Sequence, residues 1–289
     1  MPLTDIRGKT AFITGSAGGI GLGTARAFAK NGANIALCDI NAKLLAEAKE
    51  NVAQFGTRVE TFACDVSQRD DVYRVADEVE RAFGKIHIVF NNAGIAYSGP
   101  PMDETDDAMF DWTFAVNTFG PINGFKAFAP KLKKHGEGGH LVNTSSIAGI
   151  RVSAGGNYGL YAGSKFAVTA LTVGMAEALE PHGIGVSVLC PAAINTRNYD
   201  THKVRPARFG GPFEREVPPG HIRALAAGLD PDIVGLQVLQ AIKDGDFFIF
   251  THPEVKPWVQ EWHDAVMKGI DRAAEVRRLL NLPTPKEVY

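Results

Sequence analysis

The sequence predicts a single α/β domain built on a doubly wound parallel sheet with helices on both faces. Short apolar segments alternate with segments of helical pattern, as in successive βα units. The apolar segments are almost continuously hydrophobic, which is typical of strands buried on both faces of a parallel sheet. The length of 289 residues suffices for one large domain with a substantial core.

The predicted elements follow the order of these segments along the chain. The strands are Thr10–Thr14, Ala33–Asp39, Arg58–Asp65, Ile86–Asn91, His140–Thr144, Gly185–Cys190 and Phe247–Thr251. The helices are Gly21–Asn31, Lys43–Phe55, Asp70–Phe83, Asp106–Lys134 and Tyr161–Glu180. In such a sheet, ligands bind at the carboxyl ends of the strands, where the strand order reverses.

Two segments depart from the alternation. Asn195–Leu229 is rich in Pro, Gly and Arg, and we expect it to form a substrate lid, with an ordinary surface insertion as the alternative. Residues 253–289 are predicted to be a helical extension beyond a catalytic domain of residues 1–252. This tail has apolar residues at a partly helical spacing and would cover its own pocket or a neighbouring subunit.

Composition excludes several classes of protein. Hydrophobic residues make up 45% and charged residues 21%, which excludes a disordered or fibrous chain. The net charge of −2 gives no general attraction to nucleic acid or anionic lipid. The N-terminus has no apolar signal core, and no segment is long enough to predict a membrane span.

The cysteines indicate a reducing compartment. Cys38, Cys64 and Cys190 are odd in number and widely spaced, and no CxxC is present. This pattern predicts neither a disulfide framework nor a zinc site. It favours a cytoplasmic protein without a metal.

A glycine-rich segment, Thr14–Gly21 (TGSAGGIG), follows the first predicted strand and opens the first predicted helix. Glycine permits a tight turn and close approach to a pyrophosphate, and the helix N-terminus offers free N–H groups. The context therefore predicts a dinucleotide-binding loop. A loop for another nucleotide is the alternative, but the GxxxxGK[ST] pattern of a P-loop is absent.

Asp39, at the end of the second predicted strand, indicates which dinucleotide binds. A carboxylate there accepts hydrogen bonds from the adenosine ribose hydroxyls and repels a 2′-phosphate. Ile40 and Asn41 follow it, and no Lys or Arg lies between Ser16 and Gly19 to balance a phosphate. The sequence thus favours NAD over NADP. The alternative is that Asp39 only caps the next helix.

Tyr161 and Lys165 lie four residues apart on a predicted helix and therefore share one face. A phenol of ordinary pKa near 10 is a poor base at neutral pH. At about 4 Å and an effective dielectric constant near 20, an ammonium group stabilises the phenolate by about 4 kcal/mol, or about three pKa units. The pair is consequently a candidate acid/base group.

Five segments together resemble the short-chain dehydrogenase/reductase family. They are TGSAGGIG, NNAG at Asn91–Gly94, Asn117, the serine pair Ser145–Ser146, and YAGSK at Tyr161–Lys165. The resemblance implies a Rossmann fold, an NAD-dependent alcohol dehydrogenase or ketone reductase, and a homodimer or homotetramer. Relatives commonly pair through the helices matching Asp106–Lys134 and Tyr161–Glu180.

The resemblance also implies roles for individual residues. Tyr161 would be the general acid/base, Ser146 rather than Ser145 would hold the substrate oxygen, and Lys165 would also bind the nicotinamide ribose. Asn117 would support a water-linked proton relay. The residues implied in cofactor binding are Gly15, Ser16, Gly19, Ile20, Gly21, Asp39, Ile40, Asp65, Val66, Asn91, Ala93, Gly94, Tyr161, Lys165, Pro191, Ile194 and Thr196.

Three departures from the family pattern stand out. Ala192 replaces the usual Gly after Pro191, and His87 stands where the family commonly has Asp. Ser146 and Tyr161 are also separated more widely than is usual. We expect the added residues, within 151–157, to bulge beside the substrate pocket.

The substrate is predicted only as a class. The stretches YGLYAGSK, HGIGVSVLCPAAI, KVRPARFGG and THPEVKPW resemble bacterial dehydrogenases that oxidise the benzylic (Cα) alcohol of lignin-derived aryl ethers. Tyr199, Phe209 and Phe213 in the lid suit a bulky aromatic alcohol. Steroid-like, cyclic aliphatic and polyol substrates stay open, as does an NAD-binding sensor or scaffold without catalysis.

Overall fold

The computed structural model describes residues 3–97, 99–152, 157–217 and 219–283. The strands within these ranges are β1 Thr10–Thr14, β2 Asn34–Asp39, β3 Val59–Ala63, β4 Ile88–Asn91, β5 Gly139–Thr144, β6 Ile184–Cys190 and β7 Phe248–Phe250. The helices are α1 Gly19–Lys30, α2 Ala42–Ala53, α3 Arg69–Phe83, α4 Asp107–Phe114, α5 Gly120–His135, α6 Gly159–Leu179, α7 Pro219–Ala226, α8 Pro231–Asp244 and α9 Lys256–Leu279.

The strands form one parallel sheet in the order β3-β2-β1-β4-β5-β6-β7. The strand order runs outward from β1 to β3 on one side and from β4 to β7 on the other. The switch point therefore lies between β1 and β4, and the crevice for a ligand opens at the carboxyl ends of these two strands. The doubly wound parallel sheet predicted from the sequence is confirmed.

Alternate residues of β1 divide the core into two layers. Phe12 packs into one layer with α3, α4, α5 and α6, whereas Ala11 and Ile13 pack into the other with α1, α2 and α8. This division follows from the two-residue period of a strand. Both faces of the strand are fully buried, which explains its continuous hydrophobicity.

α8 is missing from the predicted elements. It starts at Pro231 behind the N-cap Asp230, whose side chain accepts a hydrogen bond from the Asp232 amide. A Pro at the first helical position and a capping Asp are ordinary start signals that would have identified it. Gly23 of α1 and Gly235 of α8 face each other so closely that a Cβ on Gly235 would lie 2.5 Å from the Gly23 carbonyl oxygen.

The long helix predicted over Asp106–Lys134 is divided in the structure. α4 and α5 are joined by a π-helical turn, Ala115–Phe119, which carries Asn117. Such a turn holds one extra residue per turn and is frequent at functional sites. Sequence periodicity does not detect it because the helix continues on both sides.

The chain comprises two compact units, Met1–Thr251 and His252–Tyr289. The first contains the sheet, and the second contains a short 3-10 turn, Pro253–Val255, followed by α9. We expect the extra residues before Tyr161 to bulge within 151–157, and residues 153–156 of this segment lie outside the described ranges. Among the residues that the structure describes, none of the helices combines the length and apolar character that crossing a bilayer requires.

Candidate active site

A cleft of about 750 Å³ opens at the carboxyl ends of the strands. Asp39 and Asp65 line it beyond β2 and β3, and Tyr161 and Lys165 of α6 line it beyond β5. The glycine loop lies between these two ends. The cleft is thus elongated along the sheet edge, as a dinucleotide site must be.

The glycine loop leaves backbone donors facing the cleft. Gly15 has a φ of +63°, and a Cβ there would lie 2.8 Å from the Ala93 Cα, so both its conformation and its surroundings require glycine. The N-cap Gly18 provides no side-chain cap to α1, so the first N–H groups of the helix are available to an anion. A Cβ on Gly18 would meet only open space.

Several predicted loop residues support the turn without lining the cleft. The Ser16 hydroxyl is fully buried, donates to the Cys38 carbonyl oxygen at 3.2 Å and accepts from the Cys38 amide at 2.8 Å. Gly21 packs against the Gly15 carbonyl oxygen. Gly15, Gly19 and Ile20 line the cleft.

Asp39 is held in place by backbone donors. Its carboxylate accepts from the Ala17 amide at 3.2 Å and from the Asn41 amide at 3.0 Å. Burial raises the pKa of Asp39, and these backbone hydrogen bonds lower it in part. The two backbone amides therefore fix the orientation of the Asp39 carboxylate at this end of the cleft, which Ile40 also lines.

Arg26 also lines the cleft near Asp39, and sequence reasoning missed it because it belongs to α1 rather than to the loop. Its Nε donates to Asp232 at 2.7 Å and its Nη1 to Asn51 at 3.2 Å. Asp232 already neutralises this guanidinium.

Asn92 rather than Asn91 faces the cleft. The Asn91 side chain turns into the protein and donates to Asn143 at 2.9 Å. The Asn92 amide group donates to the carbonyl oxygens of Thr14 and Gly15, at 3.0 and 3.2 Å, and so fixes the start of the glycine loop. Ala93 and Gly94 line the cleft as expected.

The two serines after β5 face different groups. The Ser145 hydroxyl is hydrogen-bonded to the Lys165 carbonyl oxygen at 2.9 Å and to the Thr169 hydroxyl at 2.7 Å. The Ser146 hydroxyl accepts from the Ala148 amide at 3.1 Å, and its interaction with the Tyr161 hydroxyl lowers the pKa of that phenol. Of the two serines, Ser146 is therefore the one that influences the tyrosine hydroxyl.

Burial controls the protonation of Tyr161 and Lys165. It raises the pKa of Tyr161 above its ordinary value of 10.0, and the Ser146 hydrogen bond offsets part of this change. Burial lowers the pKa of Lys165 to about 8. The Lys165 Nζ lies 5.9 Å from the centre of the Tyr161 ring and donates to the Thr144 carbonyl oxygen at 2.9 Å.

The sequence predicts that Lys165, helped by an oxidised nicotinamide, brings the pKa of Tyr161 towards neutrality, whereas burial raises that pKa in the protein alone. Desolvation disfavours the charged form of both side chains, and for Tyr161 it exceeds every other influence.

Asn117 is fully buried on the π-helical turn. Its Oδ1 accepts from the Ile95 amide at 2.8 Å, and its Nδ2 donates to the Ile95 carbonyl oxygen at 3.0 Å and to the Ser164 hydroxyl at 3.1 Å. The side chain thus fixes the segment after β4 against α6, directly before Lys165.

The segment after β6 closes the other wall of the cleft. Pro191, Ile194 and Thr196 line it, and the Thr196 side chain packs beside Gly19. Asn198, which sequence reasoning missed, also lines the cleft, and its buried Oδ1 has no hydrogen-bond partner among the residues that the structure describes. An unsatisfied acceptor in a cleft suits a ligand that carries a donor.

Two of the lid aromatics, Phe209 and Phe213, serve the protein core rather than the cleft. Phe209 and Phe213 pack against the core layer of α3 to α6. The Arg205 guanidinium lies 4.4 Å from the centre of the Phe213 ring. The apolar side chains that line the cleft include Ile95, Ala96, Trp112, Val116, Val204 and Leu225.

At the opposite end of the strands, His87, His135 and Glu137 lie close enough to share a cation. Their chemistry does not fit one. The Nδ1 atoms of the two histidines accept from the amides of Thr10 and Glu137, which leaves the protonated Nε2 atoms facing the Glu137 carboxylate and the Ile86 carbonyl oxygen. Neither ring then has a free lone pair for a metal.

Comparisons with known proteins agree with this geometry. The family model for short chain dehydrogenases matches residues 9–205. A Cα-dehydrogenase of Sphingobium sp. is 32% identical over 93% of this chain and 88% of its own length. A 3β-hydroxysteroid dehydrogenase of Eggerthella lenta is 35% identical over 66% of this chain and 73% of its own length.

A solved structure from Burkholderia phymatum is similar over nearly the whole length. It is a short chain dehydrogenase/reductase in complex with NAD, with a TM-score of 0.83, 30% identity and 99% coverage of both chains. The similarity thus extends beyond the residues that the family model matches.

Proposed function

Because this chain belongs to the short-chain dehydrogenase family, we propose that it is an NAD-dependent oxidoreductase that interconverts a secondary alcohol and a ketone. One arrangement carries this proposal: Tyr161 and Lys165 lie on one helix and line the same cleft, and the Ser146 side chain interacts with the Tyr161 hydroxyl. The open glycine loop, Asp39 and Asp65 supply the remainder of a dinucleotide site.

Each residue has a proposed task. Bound NAD supplies a hydride acceptor at its nicotinamide ring. Tyr161 takes the proton from the alcohol oxygen, and returns it to the ketone oxygen in the reverse direction. Ser146 orients that oxygen, and the Lys165 ammonium opposes the negative charge that develops on Tyr161.

Asn117 and Lys165 form the proposed route for the proton. Asn117 holds the Ile95 backbone next to Gly94, where a Cβ would lie 3.2 Å from Asn117 Oδ1 and 3.3 Å from Lys165 Nζ. The two polar side chains therefore meet beside Gly94. We expect a water-linked relay to pass the proton from Tyr161 through Lys165.

The proposed preference for NAD over NADP rests on charge. Asp39 offers a carboxylate where the adenosine ribose would lie, and it repels a 2′-phosphate. Arg26, a cation that lines the cleft near Asp39, is already paired with Asp232. A phosphate would consequently meet an uncompensated negative charge.

We propose a bulky aryl secondary alcohol as the substrate, of the benzylic kind. The same cleft that Tyr161 lines has apolar side chains on its wall, including Trp112. The similarity to a Cα-dehydrogenase over 93% of the chain supports this class. A steroid-like alcohol is the second candidate, because the same wall suits it and a 3β-hydroxysteroid dehydrogenase is 35% identical over two thirds of the chain.

We further propose a cytoplasmic homo-oligomer. Leu171 and Val173 of α6 and Phe119 before α5 are exposed by 39%, 45% and 49%, which leaves apolar surface on the helices through which relatives pair. The three free, buried cysteines suit a reducing compartment. Light scattering coupled to size exclusion would measure the number of subunits.

The test of function measures the reduction of NAD and of NADP with a panel of aryl and alicyclic secondary alcohols. We expect turnover with NAD and a loss of about 10²- to 10⁴-fold in Tyr161→Phe, the range for removing a general acid/base. Tyr73→Phe, on the exposed face of α3, is the matched control. Turnover that survives Tyr161→Phe contradicts the assignment, and a lack of activity on every aryl alcohol contradicts the substrate class.

A further inference from the structure

Arg208 connects the lid to the far end of the cleft. Its Nη2 donates to the Asp65 carboxylate at 2.6 Å and also to the Ser67 hydroxyl. With the Gln68 amide oxygen turned towards the guanidinium, that oxygen accepts from Nε at 3.2 Å and from Nη1 at 3.0 Å. All three nitrogen atoms of one lid side chain are thus bound to the loop between β3 and α3.

These contacts lie at the end of the cleft opposite to Tyr161. Asp65 and Val66 line that end, and the lid residues Lys203, Val204 and Pro206 also line the cleft. The lid segment between Asn198 and Pro206 therefore follows the cleft, and Arg208 fastens it beyond β3. We call residues 197–213 the strap.

The strap has its own internal ion pairs and hydrogen bonds. Arg197 and Lys203 both pair with Asp200, at 2.8 and 2.7 Å. The Arg205 Nε donates to the Gly211 carbonyl oxygen at 2.6 Å. These bonds hold the strap together without joining it to the sheet.

The strap is attached differently at its two sides. Phe209 and Phe213 pack against the core layer of α3 to α6, which gives an apolar attachment. The attachment to the β3–α3 loop is ionic, and the side chains of Arg208 and Asp65 are exposed by 36% and 16%. An ion pair with this much water contact is weakened by salt and opens at low cost.

We propose that Arg208 is a latch that retains the dinucleotide, and this inference rests on the proposed function. The strap covers the cleft while the latch is closed, so a dinucleotide lying between Asp65 and Tyr161 leaves only after the Arg208–Asp65 contact breaks. Arg208 acts through the strap and through Asp65, and it is accordingly a positioning residue rather than a catalytic one.

The latch explains why the lid extends far beyond the reacting groups. A lid that served only the substrate would stay near Tyr161, whereas this one reaches the wall that faces the other half of the cleft. One segment would thereby both cover the substrate and retain the cofactor. Release of the reduced cofactor would then require the lid to open.

The test measures the rate at which NADH dissociates, by stopped-flow fluorescence, from wild type, Arg208→Met, Arg208→Lys and Ser67→Ala. We expect roughly fivefold faster release from Arg208→Met, since a partly exposed charge-assisted cluster is lost. The rate of NADH release from Arg208→Lys should lie between those of Arg208→Met and wild type, because one ammonium group replaces the three nitrogen atoms of the guanidinium. Arg223→Met, an exposed arginine on lid helix α7, is the matched control.

A second measurement reports the latch without any cofactor. The amides of Phe209, Gly210 and Gly211 are hydrogen-bonded within the strap, at 2.9 to 3.1 Å. Their hydrogen exchange should be faster in Arg208→Met than in wild type. Added salt should speed NADH release from wild type but not from Arg208→Met.

The outcomes separate the latch from the proposed function. NADH that binds and leaves Arg208→Met at the wild-type rate overturns the latch and leaves the proposed function standing. Faster exchange in the strap with unchanged NADH release also overturns it, because the contact would then hold the lid without retaining the cofactor. A wild-type protein that binds no NADH overturns both.

Discussion

The Lys165 ammonium donates a 2.9 Å hydrogen bond to the carbonyl oxygen of Thr144, the last residue of β5. This bond fixes the charge at the carboxyl edge of the sheet, immediately before the serine pair. The side chain is only 3% exposed, and burial lowers its pKa to about 8. The protein therefore maintains a buried cation at a cost to its own stability.

Lys165→Met is expected to abolish turnover and to stabilise the fold. The pKa of Lys165 falls from 10.5 to about 8 on folding. The unfolded chain then holds the proton more tightly than the folded chain. The buried ammonium group therefore lowers the free energy of unfolding by its full amount below about pH 8, and this loss disappears as the pH rises through 10.5. This shift of the Lys165 pKa corresponds to at most roughly 3 kcal/mol of unfolding free energy.

Urea denaturation at neutral and alkaline pH measures this effect. The stability difference between Lys165→Met and wild type should be largest at pH 7 and should shrink towards pH 10.5. A variant that is less stable than wild type at pH 7 would show that the Thr144 hydrogen bond outweighs desolvation.

Ser145→Ala and Ser146→Ala are expected to separate stability from catalysis. Ser145 is buried and makes two hydrogen bonds to α6, so its loss should cost about 1–3 kcal/mol of unfolding free energy with a small change in kcat. Ser146→Ala should reduce kcat about 10- to 100-fold with little change in stability. Kinetics and denaturation of both variants provide the comparison, and equal losses of kcat would refute the distinction.

The double variant Asp39→Ala, Ile40→Arg is expected to reverse the cofactor preference. It removes the carboxylate that repels a 2′-phosphate and adds a guanidinium at an exposed residue of the cleft. The ratio of kcat/KM for NADP to that for NAD should rise by at least about 100-fold, or roughly 3 kcal/mol. The single variant Ile40→Gln controls for loss of the apolar side chain, and an unchanged ratio in the double variant would mean that Asp39 does not contact the adenosine ribose.

His140 is expected to make the protein unstable in acid. It is fully buried, its Nε2 lies 2.7 Å from the Ser187 hydroxyl, and burial lowers its pKa from 6.5 to about 3. The unfolded chain takes up a proton that the folded chain refuses, so stability is intact above pH 6.5 and falls by about 1.4 kcal/mol per pH unit between 6.5 and 3.

His140→Gln retains a hydrogen-bonding group at this position without the charge. Unfolding free energies between pH 7 and pH 4 should decline less steeply for His140→Gln than for wild type. Parallel declines would assign the acid sensitivity to other groups.

Local patterns made most of the sheet predictable. β1 coincides with the predicted Thr10–Thr14, because a strand buried on both faces is a continuous apolar run with clear ends. α8 was missed although its Asp230–Pro231 start was visible, and the π-helical turn at Asn117 was missed because its helix continues on both sides. The final strand is shorter than predicted, Phe248–Phe250, since the edge of the sheet supplies only one neighbour.

Some residues of the candidate site were likewise predictable from local patterns, and others were not. Spacing on one helix placed Tyr161 and Lys165 together, and motif order placed Gly15 and Asp39 at the same cleft. No local pattern distinguishes Asn91 from Asn92, because only the strand register decides which side chain faces the cleft. Arg26 and Asn198 were also missed, since neither belongs to a motif.

The sequence by itself determined the doubly wound sheet, the glycine loop and the order of the reacting residues, because these depend on interactions between residues close in the chain. The tertiary structure alone decided three things: the burial that raises the Tyr161 pKa, the packing of Phe209 and Phe213 against the core, and the contact of Arg208 with Asp65. Each joins segments far apart in sequence, and desolvation and ion pairing depend on distance in space.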